Sequence, residues 1–211
     1  MLKAKQRVKS HAARLAIASV LVFAFLSATS VQAKNSTFST RSLGGISCST
    51  AIDQLTSAKG GDVIAGYTLW LGGYITAKNI SLGFYDVFPV LSPSMEMTQF
   101  FANICSSNRD AKLLEVVESS VLMLTSKGYA LAGREGTPEI VVISHDGGEV
   151  PVYKEFLVKV QAFLKRAGYR ISADGKFGNR TKEAIADYKK KNELNGPALP
   201  DSYMLLAMVA K

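Results

Sequence analysis

The chain is poor in the residues that most often carry metal and redox chemistry. Among 211 residues there are two cysteines, Cys48 and Cys105, and two histidines, His11 and His145. A structural zinc site needs four ligands and a zinc peptidase a His-rich set. Neither can be assembled from two cysteines and the single histidine that follows residue 33. A redox-active pair is typically close in sequence, as in Cys-x-x-Cys, whereas these cysteines lie 57 positions apart. No metal ligands are assigned and no cofactor is expected.

Long apolar runs are also scarce. The stretch from Leu15 to Ala28 is the longest, and it falls short of the ~20 residues a membrane-spanning helix needs. Lys3, Lys5, Arg7, Lys9 and Arg14 precede it and Val31-Gln32-Ala33 follows it, the pattern of a cleaved secretory signal over residues 1–33. An uncleaved anchor is the alternative. No cysteine follows the cleavage site, so a lipid anchor is not expected, and no stable membrane anchor should remain after cleavage. In an oxidising periplasmic or secreted setting, Cys48 and Cys105 are most simply one disulfide, contributing roughly 4 kcal/mol by loop closure.

Acidic residues are in deficit at one end only. Residues 34–151 hold 8 basic and 11 acidic side chains, whereas residues 152–211 hold 12 basic and 6 acidic. A local excess of this kind suits an anionic polymer, nucleic acid or anionic lipid. An exported protein does not meet nucleic acid, so an anionic polymer of the envelope is the expected partner.

The hydropathy pattern reads as a mainly α protein: two small helical domains joined by a short β-like linker, after the signal. Residues 34–47 are rich in Ser, Thr and Gly and read as a mobile leader. A helical bundle is expected over 48–133. Val63, Ile64, Tyr67, Leu71, Tyr74 and Ile75 share one face of a helix that also holds Trp70 and is expected to be ended by Asn79 and the Ile-Ser-Leu-Gly that follows it. Asp86 to Pro93 reads as loop, with Ser92-Pro93 opening a helix that contains Phe100, Phe101 and Ile104. Asn108 or Asp110 starts another helix, closed by Gly128. Residues 134–152 form a linker in which two β-branched runs flank Asp146-Gly147, a hairpin signal, with Pro151 confining the second run to an edge.

The last segment, 153–211, has the most distinctive order of residues. Phe156, Leu157, Val160, Phe163 and Leu164 mark an amphipathic helix stopped by Gly168. An Asp174-Gly175 turn and Phe177-Gly178 lead to a second helix from about Arg180, with Ala184, Ile185 and Tyr188 inward. A third runs from about Asp201 to Val209. Lys189-Lys190-Lys191 reads as a solvated face.

Val160, Gln161, Leu164, Gly168, Tyr169, Asp174, Gly175, Phe177, Gly178, Thr181, Ala184 and Ile185 together resemble the three-helix peptidoglycan-binding domain of bacterial cell-wall proteins. Two features depart from that family. Tyr188-Lys189 stands where it has an aromatic-Gln pair, and Asn195-Gly196-Pro197-Ala198 replaces its second Asp-Gly turn. The resemblance implies peptidoglycan as partner and a surface beside the Asp-Gly turn as its site. Gly175 and Gly178 read as turn geometry, Phe177 as core and Thr181 as an aid to opening the helix. The candidate ligand-binding residues are Tyr169, Arg170, Asp174, Lys176 and Arg180. A tyrosine face can stack on a sugar ring, and Arg and Lys can pair with stem-peptide carboxylates.

Upstream, Trp70-Leu71-Gly72-Gly73-Tyr74-Ile75, Asn79 and Asn103-Ile104-Cys105 resemble small exported proteins with one disulfide, which include Tai-type immunity proteins and HdeA-like acid-stress chaperones. That resemblance spans about Cys48 to Thr125 and implies a helical bundle with a binding role and no specific partner; an envelope protein is the partner considered for residues 48–133.

Cell-wall enzymes often carry such a C-terminal module. A cysteine transpeptidase requires a thiolate beside a positioned imidazole, and His145 sits in a glycine-rich turn. No Ser-x-x-Lys pair is present. A muramidase needs only two carboxylates, so counting leaves that route open, but a bundle this small offers little room for a sugar cleft. The chain is therefore read as a non-catalytic, wall-associated envelope protein with no catalytic residues assigned. The alternatives are an immunity-type or chaperone-type protein retained at the wall and, third, a wall hydrolase.

Overall fold

A computed structural model describes residues 42–57, 61–91, 95–146 and 148–211. The signal expected at residues 1–33 and the Ser92-Pro93 helix start lie outside these residues. The fold is mainly α, with seven α-helices and two small antiparallel sheets among the described residues.

The first four helices are α1 (Cys48–Ser57), α2 (Gly61–Leu82), α3 (Met95–Ser106) and α4 (Leu113–Ser126). Helix α2 buries Tyr67, Leu71 and Ile75, one residue per turn on one face, as the i, i+4, i+8 spacing requires. In α3, Phe100 and Phe101 are buried and their rings pack edge to face at 5.2 Å, with Phe88 5.2 Å from Phe100. Helix α4 buries Leu113, Val116, Val117, Val121 and Leu124. Cys48, at the start of α1, is disulfide-bonded to Cys105, near the end of α3. Both are in the core, where the bond ties two helices distant in sequence.

Two boundaries differ from expectation, and a third is placed within its expected stretch. Part of the leader is packed: Ser42–Gly45 forms a short 3-10 helix, and a Cβ on buried Gly44 would stand 2.7 Å from the Trp70 ring. The backbone then docks on the bundle through Cys48 N–H to the Ala111 carbonyl (2.8 Å) and Leu113 N–H to the Ile46 carbonyl (2.9 Å). Helix α2 runs through Asn79 to Leu82 and stops at Gly83, whose φ is +70°. The Asn79 side chain accepts from Val87 N–H at 2.8 Å, so it anchors the following loop and does not compete with its own helix. Helix α4 starts at Leu113, because the Asn108 side chain donates back to the Ile104 carbonyl (2.8 Å) and closes α3. Glu115 accepts from Lys112 N–H (3.0 Å) and caps α4 from within.

The expected loop 86–93 begins as a strand. β1 (Phe84–Asp86) pairs with β2 (Leu131–Ala132), and Val87, Phe88 and Val90 behind it are buried. β3 (Ile140–His145) and β4 (Gly148–Tyr153) form the expected antiparallel hairpin, with Pro151 opposite Val142. Asp146 supplies the left-handed turn residue, φ +46°. Three helices complete the chain: α5 (Lys154–Arg166), α6 (Asn179–Lys191) and α7 (Ser202–Val209).

The described residues belong to one compact unit, and side chains cross between the earlier and later helices. Tyr129 Oη donates to the Met208 carbonyl (2.9 Å) and Lys127 Nζ to the Val209 carbonyl (2.7 Å). Lys159 Nζ donates to the Ala130 carbonyl (2.9 Å), and Ser202 N–H donates to Glu96 Oε2 (2.9 Å).

Lys189 departs from the solvated face expected of its lysine run. Four residues beyond Ile185, it lies on the inward side of α6 and is 3% exposed, while Lys190 and Lys191 are exposed. Its Nζ pairs with Asp201 and donates to the Pro197 carbonyl at 2.6 Å. Asp201 also caps α7, accepting from Met204 N–H at 3.0 Å. Burial pushes the lysine down and the carboxyl up from their ordinary values. Lys189→Met strands the buried carboxyl and should cost about 3–5 kcal/mol in urea unfolding, with Lys189→Met/Asp201→Asn recovering part of that loss.

Asp86 generates a second prediction. Desolvation raises its carboxyl to about 6, against the hydrogen bonds it receives from Phe88 N–H, Asn79 and Tyr153. Between its ordinary value and about 6 the folded chain keeps a proton that the unfolded chain has released. The stabilisation linked to this group is therefore present at pH 4 and is lost as the pH rises through 6. The difference in unfolding free energy between wild type and Asp86→Asn should shrink over that interval in urea titrations; a constant difference would refute the linkage.

Candidate functional site

The site is built around a polar residue on an apolar helix face. Gln161 lies between Val160 and Leu164 on the buried side of α5 and is 0% exposed. Its Oε1 accepts from Gly175 N–H at 2.8 Å. Its Nε2 donates to the Lys176 carbonyl at 2.9 Å and to Thr181 Oγ1 at 3.1 Å, with Asp174 Oδ1 at 3.4 Å. One amide thus joins α5, the turn and α6. A buried amide must be hydrogen-bonded, and only a chain folded back in this turn offers it that set of partners.

The turn has little freedom. Gly175 has φ +71°, and a Cβ there would meet Lys154 Cγ at 2.6 Å. Gly175 thus supplies turn geometry as expected. Gly178 does not: its φ of −110° is open to any residue, and it is the N-cap of α6 without a side-chain cap. Thr181 turns inward to Gln161 and makes no cap, and Phe177 is half-buried against the core.

Held by this arrangement, the loop and the start of α6 border an open groove of about 610 Å³. Four of the five candidate residues line it: Tyr169, Arg170, Asp174 and Arg180. Lys176 is exposed but absent from that lining, and its backbone serves the turn. Asp174 has a structural task as well. It accepts from Lys176 N–H at 3.0 Å, and that bond, with the one from Gln161, holds its carboxyl below the usual range. Tyr169 Oη donates to Asp187 Oδ2 at 2.7 Å. Burial of its hydroxyl, the Asp187 bond and the Asp187 charge push the phenol up to about 12. Lys191 pairs with Asp187 at 2.6 Å and lies 5.7 Å from the centre of the Tyr169 ring. The ring is thereby fixed in orientation and stays partly exposed.

Arg170 and Arg180 are exposed and make no ion pair or hydrogen bond among the described residues. They border the groove together with the N-terminus of α6, whose first N–H groups carry positive partial charge. The groove therefore offers a fixed aromatic ring, two planar cations and a positive helix end, a set that suits a ligand with sugar faces and carboxylates. Gln161 and Lys189 were the residues whose roles the sequence hid. The available signal was a polar side chain at a helix position whose neighbours at one and three or four residues are apolar.

Elsewhere, neither cysteine carries a free thiol. His145 ends β3 with Asp146 Oδ2 2.9 Å from its Nε2, but without hydrogen-bond alignment at either ring nitrogen. Among the described residues no group of three His, Cys, Asp or Glu side chains is placed to hold a metal, and no helix is long and apolar enough to cross a membrane.

Residues 154–197 match the family model described as "Putative peptidoglycan binding domain". The matched segment contains α5, the Gln161-bound turn, α6 and the connector to α7, and it supports peptidoglycan binding by the C-terminal part of the chain. No curated protein and no solved structure matches the chain.

Replacing Gln161 by Met keeps the volume but leaves Gly175 N–H and the Thr181 hydroxyl without their partner. At about 1–3 kcal/mol for each stranded buried group, the variant should lose roughly 2–6 kcal/mol in urea unfolding while its native helical circular dichroism is retained.

Proposed function

We propose that this is an exported, non-catalytic protein of the cell envelope that binds peptidoglycan through residues 153–211. The observation that carries the reading is the family match over 154–197. The groove beside the Asp174-Gly175 turn supports it by offering chemistry suited to an anionic glycopeptide. Tyr169, Arg170 and Arg180 are the contact residues. Asp174 contributes by holding the turn, and Lys176 adds positive charge at the margin. The expected signal, the single disulfide and the basic C-terminal segment fit a wall-associated protein in the periplasm or outside the cell.

Residues 48–133 are assigned the presentation of a helical surface to another envelope protein. Helix α2 favours this, because Leu69 and Ile80 point outward at 77% and 80% exposure. Exposed apolar groups on one helix face suit protein contact. An immunity-type or chaperone-type role for these residues is the second reading, favoured by the same face. A wall hydrolase is the third, and release of muropeptides on incubation with purified walls would establish it.

Sedimentation of the purified protein with peptidoglycan sacculi tests the proposal. Wild type should co-sediment at both low and high salt. Arg170→Ala/Arg180→Ala should weaken binding tenfold or more with unchanged helical circular dichroism. Absence of sedimentation would overturn the reading, and its complete loss at high salt would reduce the effect to the positive charge of residues 152–211.

A further inference from the structure

The groove bordered by Arg170 and Arg180 continues past Tyr169. A depression of about 500 Å³, lined in part by Tyr169, Arg170, Tyr188 and Asn192, follows it around the end of α5. Tyr188, Asn192 and Ala167 are also walls of a second cavity, of about 590 Å³, completed by Lys127, Tyr129, Phe163, Arg166 and Lys211. The first groove and the depression share Tyr169 and Arg170, and the depression and this cavity share Ala167, Tyr188 and Asn192, so the three follow one another as a track of neighbouring depressions.

The far cavity shares the cationic and aromatic character of the near groove. Lys127, Arg166 and Lys211 line it with no Asp or Glu side chain, whereas the near groove holds Asp174 beside Lys165, Arg170 and Arg180. Tyr129, partly exposed, takes the place that Tyr169 has in the near groove. It is also held in place: Tyr129 Oη and Lys127 Nζ donate to the last carbonyls of α7, those of Met208 and Val209. These bonds occupy the ends of both side chains and leave the ring and the lysine charge beside the cavity. Arg166 makes no hydrogen bond or ion pair among the described residues, so its guanidinium is available to a ligand. Phe163 and Tyr188 pack edge to face at 5.2 Å beneath the track and fix its floor.

Two like sites joined by a shared wall suit a ligand that repeats. We propose that the protein binds an extended peptidoglycan strand of more than one disaccharide-peptide repeat. One repeat lies in the Arg170–Arg180 groove and a following one in the Lys127–Tyr129–Arg166 cavity. This inference rests on the peptidoglycan reading and extends it. The recognised footprint crosses out of residues 154–197 onto the end of α4. The earlier helices therefore form part of the binding surface, and the contacts that fasten α4 to α7 shape the far site. A strand engaging both sites gains affinity because the second contact is intramolecular once the first is made.

Calorimetric titration of the intact protein with soluble fragments of one, two and four disaccharide-peptide repeats tests this, beside sacculus sedimentation. Wild type should bind four repeats at least tenfold more tightly than one, beyond the statistical factor. Arg166→Glu should abolish that gain and leave one-repeat binding unchanged, and Arg166→Gln, a milder change, should reduce it. Arg170→Glu should weaken fragments of every length. Equal affinity for one and four repeats, or a gain that survives Arg166→Glu, overturns the extended site; if sacculi still sediment, the peptidoglycan reading stands. Failure of every fragment and of sacculi to bind overturns both.

Discussion

The candidate site depends on the buried amide of Gln161. Four groups from two parts of the chain, the turn and α6, converge on it: Gly175 N–H, the Lys176 carbonyl, Thr181 Oγ1 and Asp174 Oδ1. Burying a primary amide among Phe156, Leu157, Val160 and Leu164 is costly unless its hydrogen bonds are made. The turn from Asp174 to Lys176 is therefore locked to the core of α5 by the same requirement that keeps Gln161 inside. Because the turn cannot drift, the start of α6 and the loop that carries Tyr169 and Arg170 hold a fixed separation. The groove between them is a consequence of that constraint; Tyr169 is held in it by Asp187, and Arg170 and Arg180 stand free along it.

A second constraint sits at the other end of α6. The pair Lys189–Asp201 is buried, and Asp201 also caps α7. Neighbouring Ser202 N–H reaches Glu96 on α3, and the last carbonyls of α7 receive Tyr129 and Lys127 from the end of α4. A chain of polar contacts thus runs from α6 through α7 to the disulfide-tied helices. The lysine stands where the resembling family has a glutamine after its aromatic residue. The departure at Asn195–Ala198 forms the connector that shields this ion pair, with the Pro197 carbonyl accepting from Lys189. The two departures from the family pattern are parts of one local arrangement.

Much of this was legible from residue order. The faces of α2, α4 and α5, the Asp146 hairpin turn, the stops at Gly128 and Gly168 and the cysteine pair all follow from short-range rules. The grouping of Tyr169, Arg170, Asp174 and Arg180 around one turn came from the resemblance to the wall-binding family. What was misread has a common cause. Asn108 looked like a helix start, but its side chain closes the helix before it; within the expected end of α2 it is Gly83 that stops the helix, while the Asn79 side chain bonds to Val87, eight residues on. Lys189 looked solvated because its neighbours Lys190 and Lys191 are. Periodicity placed it inward, but only the carboxylate of Asp201 makes that position tolerable.

The sequence by itself determined which segments are helical, which face of each is apolar and where glycine permits a left-handed turn, since these rest on interactions between residues a few positions apart. It also placed the basic excess in residues 152–211, because charge is additive along a chain. The tertiary structure alone decided that Gln161 would organise the turn, that Lys189 would be paired in the core, and that the groove at Arg170 would run on to Tyr129. Each of these depends on groups brought together from 12 to 80 or so positions apart, and their pairing is settled only when burial leaves each polar group a single set of partners within reach.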